Sequence, residues 1–144
     1  MDMLSTNYII GLIDGEGSFT VYVRNPKDSS MRKRRVKVEP RFYIKLVEKD
    51  KKILYALKKF FGCGNVYFQK DTRVNHQQCY RYEVANRKHI EEIIIPFFRK
   101  NKLQFPSKQK DFTIFCKLMD KMQMGDHLTE KGQKEMYQLK RKMH

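Results

Sequence analysis

Hydrophobic and polar residues alternate along two stretches in the first third of the chain. In residues 18–24 the apolar side chains occupy every second position, and residues 36–46 repeat the pattern with Pro40 on the apolar register. Strict alternation is typical of a strand that buries one face and exposes the other. The pattern therefore predicts two half-buried strands joined by the polar segment 25–34.

Helical spacing and capping residues predict the other elements. The apolar run 8–13 ends in Asp14-Gly15-Glu16-Gly17, which predicts a short buried helix with a glycine stop. Residues 65–70 and 79–85 read as two further strands joined by a polar hairpin loop. Pro96 is expected to end or kink the helix that contains it. Four residues are predicted to cap helices: Asp50, Asn86, Ser107 and Thr129.

The predicted order is helix, strand, strand, helix, strand, strand and then three helices. Strand pairs joined by hairpins favour an antiparallel sheet with helices packed on one face, an α+β fold of αββαββα type with extra C-terminal helices. A length of 144 residues is typical of one domain. We expect a single domain over 1–144, in which 125–144 form a helical tail.

The charge of the chain points to a polyanionic partner. Lysine and arginine number 31 against 16 acidic residues, so the formal net charge is +15. Such a field attracts nucleic acid. A plain basic protein that binds nucleic acid loosely is the alternative. The 18 aromatic side chains, 10 Phe and 8 Tyr, exclude a disordered chain because they supply the surface of a packed core.

Several other classes of protein are disfavoured. No apolar run approaches the roughly 18 residues of a membrane span, so no membrane partner is expected. The three cysteines form no CxxC pair and fit neither a disulfide framework nor a zinc site. Residues 1–23 contain no Lys or Arg, so the basic region of a signal peptide is missing. We expect an intracellular protein of a prokaryotic cytoplasm, an organelle or a nucleus.

The polar face of the predicted sheet is a candidate DNA-binding surface. Arg, Lys, Asn and Gln side chains reach base edges and phosphates, and a β-ribbon fits the major groove. An ordinary solvated strand face is the alternative, and the same mixture of Tyr, Arg and Lys is also compatible with RNA stacking. The outward-facing residues are Thr20, Tyr22, Arg24, Lys37, Glu39, Arg41, Tyr43, Lys45, Asn65, Tyr67, Gln69 and Arg81.

Two carboxylates lie where the first predicted helix ends. Asp14 and Glu16 are close to the negative end of the helix dipole, which is electrostatically unfavourable for both. Either the two acids are solvated, or a divalent cation with oxygen ligands compensates them. The spacing alone leaves both alternatives open.

The residues Ile9-Ile10-Gly11-Leu12-Ile13-Asp14-Gly15-Glu16-Gly17, followed by Ser18-Phe19, resemble the LAGLIDADG motif of homing endonucleases. The similarity continues through most of the chain. Residues 42–50 followed by 61–64 are similar to the family's second strand, following helix and glycine turn. Residues 96–98 and 108–112 are similar to its third-helix region, and 127–132 to a tail seen in many members.

The resemblance implies a homodimeric, Mg²⁺-dependent enzyme, because a single motif is typical of members that act as dimers. The motif helices of two subunits would pack together and bring one acid each to the DNA. Glu16 matches the metal-binding acid, and the carbonyl of Gly15 matches a further ligand. Asp14 would have a structural, capping role. The residues expected at the dimer interface are Ile9, Ile10, Gly11, Ile13 and Asp14.

Two further catalytic positions come from the same resemblance. Glu48 falls where members often carry a residue of the water network at the cleavage site. Lys108 matches the active-site lysine, with Lys110 as the alternative. The implied activity is a double-strand break in a long, near-palindromic DNA site, made by hydrolysis of phosphodiester bonds.

Two other functions of the same fold remain open on the sequence. An RNA-binding maturase that assists intron splicing would take intron RNA as its partner. A catalytically inactive member would bind DNA without cutting it. The presence of Glu16 favours the endonuclease, because the metal-binding acid is retained.

Overall fold

The computed structural model describes residues 4–27 and 38–144, and the predicted DNA-binding residue Lys37 lies outside them. The first helix, α1, covers Thr6–Glu16 and leads directly into strand β1, Gly17–Val23. Strand β2 covers Val38–Val47, and a 3₁₀ turn at Glu48–Asp50 follows it. These bounds agree with the predicted strands, but α1 continues three residues beyond the apolar run.

The second half of the sheet follows the same helix–strand–strand order. Helix α2 covers Lys51–Phe61, β3 covers Asn65–Gln69 and β4 covers Cys79–Val84. The four strands form one sheet in the order β1-β2-β4-β3, and β2 and β3 both pair antiparallel with β4. The α+β class with an antiparallel sheet and packed helices is therefore confirmed.

The C-terminal third of the chain is helical. A short helix α3, Arg87–His89, passes through a π-helical turn at Ile90–Ile94 into α4, Ile95–Lys100. Pro96 lies in the first turn of α4, where its missing N–H is tolerated, so the helical path continues past it. Helix α5 covers Pro106–Gln123, and a 3₁₀ turn at Asp126–Leu128 precedes α6, Glu130–Lys140.

The predicted caps have different outcomes. The side chain of Asn86 accepts the backbone N–H of His89 at 3.1 Å, and Thr129 accepts that of Gly132 at 3.0 Å, as predicted. Asp50 makes no capping hydrogen bond with its side chain. Ser107 was wrongly predicted as a cap, because α5 already begins at Pro106.

The chain divides into two compact units. The first contains residues 4–18 and 41–105. Its core has an aromatic centre in which the ring of Phe42 lies 5.6 Å from Phe98, 6.1 Å from Phe61 and 6.4 Å from Tyr82. The buried hydroxyl of Tyr82 donates to the carbonyl of Cys63 at 2.8 Å, so its polar atom is satisfied inside the core.

The second unit contains residues 19–27, 38–40 and 106–144. Its core joins β1 to α5: the ring of Phe19 lies 5.1 Å from Phe112 and 5.4 Å from Phe115. Asp111 is buried on α5 and accepts the backbone N–H of His144 at 2.8 Å. The expectation of one domain over 1–144 stays a prediction.

Candidate functional site

Helix α1 delivers the acidic residues of the motif to its C-terminal end. It begins at a Ser5 cap, whose hydroxyl accepts the N–H of Tyr8 at 3.1 Å, and it has no basic residue in its last turn. At Gly17 the chain leaves α1 and enters β1, and its backbone passes close to Ile13. A Cβ at Gly17 would lie 2.6 Å from Cγ2 of Ile13. Only glycine fits this turn, which fixes where the helix ends and how Glu16 is presented.

Asp14 is buried and bonded to the backbone of a distant loop in the same unit. Its two carboxylate oxygens each lie 3.0 Å from the backbone nitrogen of Gln104, and Oδ1 also accepts the N–H of Phe105 at 3.1 Å. These charge-assisted bonds satisfy a carboxylate that is only 4% exposed. Asp14 thus holds the segment between α4 and α5 against the end of α1.

Glu16 has the opposite environment. Its side chain is exposed, and it forms no hydrogen bond or ion pair with any residue in the described ranges 4–27 and 38–144. Gly15 beside it is exposed, and its carbonyl belongs to the last helical turn. A carboxylate and a backbone carbonyl are hard oxygen donors of the kind that Mg²⁺ prefers.

These two donors form an incomplete set within one chain. Within the part of the chain that the structure describes, no group of three or more His, Cys, Asp or Glu side chains could hold a metal. Mg²⁺ commonly takes one or two carboxylates and completes its shell with water and substrate phosphates. Glu16 and Gly15 fit that use and do not fit a closed structural metal site.

The predicted dimer residues lie on different faces of α1. Gly11 and Gly15 are exposed, and a Cβ added to either would have nothing within 4 Å. Ile9 and Ile13 are fully buried within the protomer, and Asp14 is nearly so. These three side chains have almost no surface left to cover, and the interface itself stays a prediction.

The outward face of the sheet brings together many of the predicted DNA-binding residues. In the register of the strands, Tyr43 lies opposite Glu83, which in turn lies opposite Asn65. The next row along the sheet joins three predicted residues, Lys45, Arg81 and Tyr67. Directly opposite residues in an antiparallel pair point to the same side, so the strands assemble a continuous polar surface.

Glu83 is the centre of this surface. Its Oε1 accepts from Nη2 of Arg81 at 2.7 Å and lies 3.6 Å from Nη1 of Arg41. The guanidinium of Arg81 also stacks over the ring of Tyr43, with Cζ 3.5 Å from the centroid. The two arginines are thereby held in defined orientations before any ligand arrives.

Tyr67 completes the cluster as a hydrogen-bond donor. Burial is the main cause that raises the pKa of the Tyr67 phenol, and its hydrogen bond to Glu83 raises it further. The hydroxyl is therefore protonated at neutral pH. Glu83 was missed as a candidate residue, although its position two residues after Arg81 on β4 places it on the outward face.

In the second unit, the burial of the candidate residues follows the alternation of their strands. Thr20, Tyr22 and Glu39 are half-buried between fully buried neighbours, and Arg24 follows the end of β1. Lys108 lies half-buried in the first turn of α5, whereas Lys110 is exposed.

Glu48 lies in the 3₁₀ turn that follows β2. Its side chain is exposed, and its backbone N–H donates to the carbonyl of Gln78 at 2.9 Å. Gln69 is the remaining sheet residue predicted to bind DNA, and it is half-buried on the outward face, as Lys45 is. None of the helices described is long and apolar enough to cross a bilayer.

Residues 9–119 match the model of a protein family described as "LAGLIDADG endonuclease". The protein called "Probable intron-encoded endonuclease 2" of Neurospora crassa is 32% identical over 134 residues, which cover 92% of this chain and 28% of that protein. The chain spans between 22% and 35% of the length of three such curated relatives.

Two solved structures are similar over nearly the whole chain. The homing endonuclease I-TnaI superposes with a TM-score of 0.81 at 32% identity, covering 99% of this chain and 90% of that one. The structure titled "I-SmaMI bound to uncleaved DNA target in the presence of Calcium ions" gives a TM-score of 0.81 at 31% identity. There the match covers 98% of this chain and 45% of the other.

Proposed function

Because the chain belongs to the LAGLIDADG endonuclease family, we propose that it is a site-specific homing DNA endonuclease. The reaction is hydrolysis of one phosphodiester bond in each strand of double-stranded DNA. The observation that carries the proposal is the division of roles between two acids of one motif. Asp14 is buried and accepts hydrogen bonds from backbone N–H groups. Glu16, two residues later, is exposed and available to a ligand.

Glu16 and the carbonyl oxygen of Gly15 would hold a divalent cation, Mg²⁺ in our proposal. When bound, the cation supplies an activated water and stabilises charge on the leaving oxygen. The structure of I-SmaMI with its uncleaved DNA target in the presence of calcium ions supports the use of a divalent cation. DNA phosphates would complete the donor set, which explains why the chain alone carries only part of it.

Two other residues of this chain act on the same bond in the proposal. Lys108 places an ammonium group where it offsets negative charge that develops on the phosphate, and Lys110 is the alternative. Glu48, exposed at the end of β2, orders water next to the cleaved phosphate. Both assignments rest on the family pattern; Glu48 is exposed and Lys108 is half-buried.

Two copies of the chain would form the active enzyme. One chain supplies one Glu16, whereas cutting both strands calls for two acidic sites. We propose that the exposed Gly11–Gly15 face of α1, with Ile10 beside it, meets the same face of a second copy. A twofold dimer presents the same reading face twice, so its DNA site is near-palindromic.

The outward face of the sheet would read the DNA. Arg41 and Arg81 are held by Glu83 in orientations suited to base edges or phosphates, and Tyr67 supplies a protonated hydroxyl. The net charge of +15 supplies the general attraction to DNA. The intron-encoded relative of Neurospora crassa supports an organellar or nuclear location, and a prokaryotic cytoplasm is the alternative.

A cleavage selection tests the whole proposal. The purified protein is incubated with a library of near-palindromic DNA sites in Mg²⁺, in Ca²⁺ and in EDTA, and broken ends are sequenced. We expect Mg²⁺-dependent double-strand breaks enriched at one site. Site-selective DNA retention without breaks under any condition would contradict the enzyme and indicate a DNA-binding protein. Neither breaks nor retention would direct the search to intron RNA.

A further inference from the structure

A concave surface lies at the β3 edge of the sheet, within the first unit. The cleft has a volume of about 760 Å³ and is bounded by the end of α2, the start of β3 and the end of β4. Its shape depends on Gly64, where the backbone has a φ of +86° and a Cβ would lie 2.9 Å from the carbonyl oxygen of Glu83. A cleft of this size is typical of ligand sites.

Two tyrosine rings contribute exposed aromatic surface to the cleft. Tyr55, on the solvent side of α2, is 50% exposed, and Tyr67, on the edge strand β3, is 40% exposed. Large aromatic side chains normally bury their rings, so two half-exposed rings in one concavity provide faces on which a flat ligand can stack.

The charge of the cleft is positive. Lys58 and Lys59 line it from the last turns of α2, and neither has an acidic partner in the described ranges of the chain. Glu83 is the one carboxylate among the lining residues, and Arg81 and Arg41 already occupy it. The amides of Asn65 and Asn86 add donors and acceptors at the rim.

We propose that this cleft binds an unpaired nucleotide of a single-stranded nucleic acid, with the base on the tyrosine rings and the phosphates near the two lysines. Stacking on aromatic rings beside a basic groove is the general way in which single strands are bound. A duplex keeps its bases paired and stacked, so it offers no free base face to Tyr55.

The cleft is a site additional to the sheet surface proposed for duplex DNA. Tyr67 and Glu83 belong to both, so the cleft adjoins the sheet surface at the β3 edge. Tyr55, Lys58 and Lys59 belong to the cleft alone. Substitutions at these three residues therefore test single-strand binding independently of any cleavage activity.

Fluorescence anisotropy with labelled oligo(dU) and oligo(rU) of about ten nucleotides tests the site. This length lies within the roughly 4 to 16 nucleotides that an OB fold, a common single-strand-binding domain, covers. Tyr55→Ala should weaken single-strand affinity about tenfold, whereas Tyr55→Phe keeps the ring and should change it less than about twofold. Lys59→Ala should weaken binding and lower its salt dependence. Lys52→Ala, an exposed lysine of α2 outside the cleft, is the matched control.

The outcomes separate the alternatives. Equal binding of both oligonucleotides indicates recognition of the base and the phosphates. Stronger binding of oligo(rU) indicates an additional contact to the 2′-hydroxyl. Both results support an unpaired nucleotide in the cleft. Unchanged single-strand affinity in Tyr55→Ala, or an equal loss for a blunt duplex, would overturn the proposal. Photocrosslinking with 5-iodouridine should label the peptides that contain Tyr55 or Tyr67, and labelling elsewhere would also overturn it. Failure of the cleavage selection leaves these measurements unaffected.

Discussion

Nη2 of Arg81 donates to Oε1 of Glu83, two residues further along β4, at 2.7 Å. Both side chains are largely buried on the polar face of the sheet, at 16% and 14% exposure. Arg41 approaches the same oxygen from β2. One carboxylate therefore fixes two arginines, and the orientation of both depends on its charge.

Glu83→Gln should reduce discrimination between the preferred DNA site and its single-base variants by about tenfold, because the two guanidinium groups lose their common anchor. Overall affinity at low salt should fall less, or rise, since a negative charge is removed. The measurement is competitive binding against a panel of sites at several salt concentrations. Glu130→Gln, on the exposed α6 pair with Lys134, is the control. An unchanged selectivity profile would remove Glu83 from the reading surface.

Asp14→Asn should lower the free energy of unfolding by about 2 kcal/mol or more, since its carboxylate is buried and accepts from the backbone of Gln104 and Phe105. Glu16→Gln should leave stability unchanged or raise it, because it removes a negative charge at the C-terminal end of α1. Urea unfolding of both variants gives the comparison. Equal destabilisation by the two substitutions would refute the separate roles assigned to the two acids.

Glu16→Gln should abolish cleavage because it removes the proposed metal-binding acid. Site-specific binding should be retained within about threefold, because Glu16 lies outside the sheet surface proposed to bind DNA. Cleavage is measured on a supercoiled plasmid that carries the selected site, and binding is measured in Ca²⁺. Glu135→Gln, another exposed acid, controls for the change in net charge. Cleavage at the wild-type rate would exclude Glu16 from the metal site.

Gly11→Ala should stabilise the isolated chain slightly, by up to about 1 kcal/mol, because alanine favours a helix and a Cβ meets nothing within 4 Å. The same methyl group should weaken association of two copies, which sedimentation equilibrium measures. Gly17→Ala should instead lower stability, since its Cβ would lie 2.6 Å from Ile13. A Gly11→Ala variant that dimerises like the wild type would place the interface elsewhere.

Local patterns in the sequence were enough to predict the strands and several caps. Phe19, Phe42 and Ile44 fall on the apolar register, and all three are fully buried. Asn86 and Thr129 cap their helices because such caps need only residues within the next three positions. The prediction that Ser107 caps α5 failed because Pro106, the residue before it, already occupies the first turn of the helix.

Contacts between distant segments were beyond the reach of the same patterns. The spacing of Asp14 and Glu16 showed two acids at a helix end but left both the cation and solvation open. Only the folded chain shows that the backbone N–H of Gln104, 90 residues away, donates a hydrogen bond to Asp14. The burial of Ile9 and Ile13 likewise depends on which face of α1 meets the core, which the nonapeptide alone does not specify.

The hydrogen bond between Asp14 and the backbone of Gln104 also has a consequence during synthesis of the chain. During synthesis the helix emerges first, yet its buried carboxylate has no partner until 90 further residues have been added. At typical rates of translation this interval lasts about 5 to 18 s. The carboxylate of Asp14 therefore reaches its native hydrogen-bond donors only after residue 105 has left the ribosome.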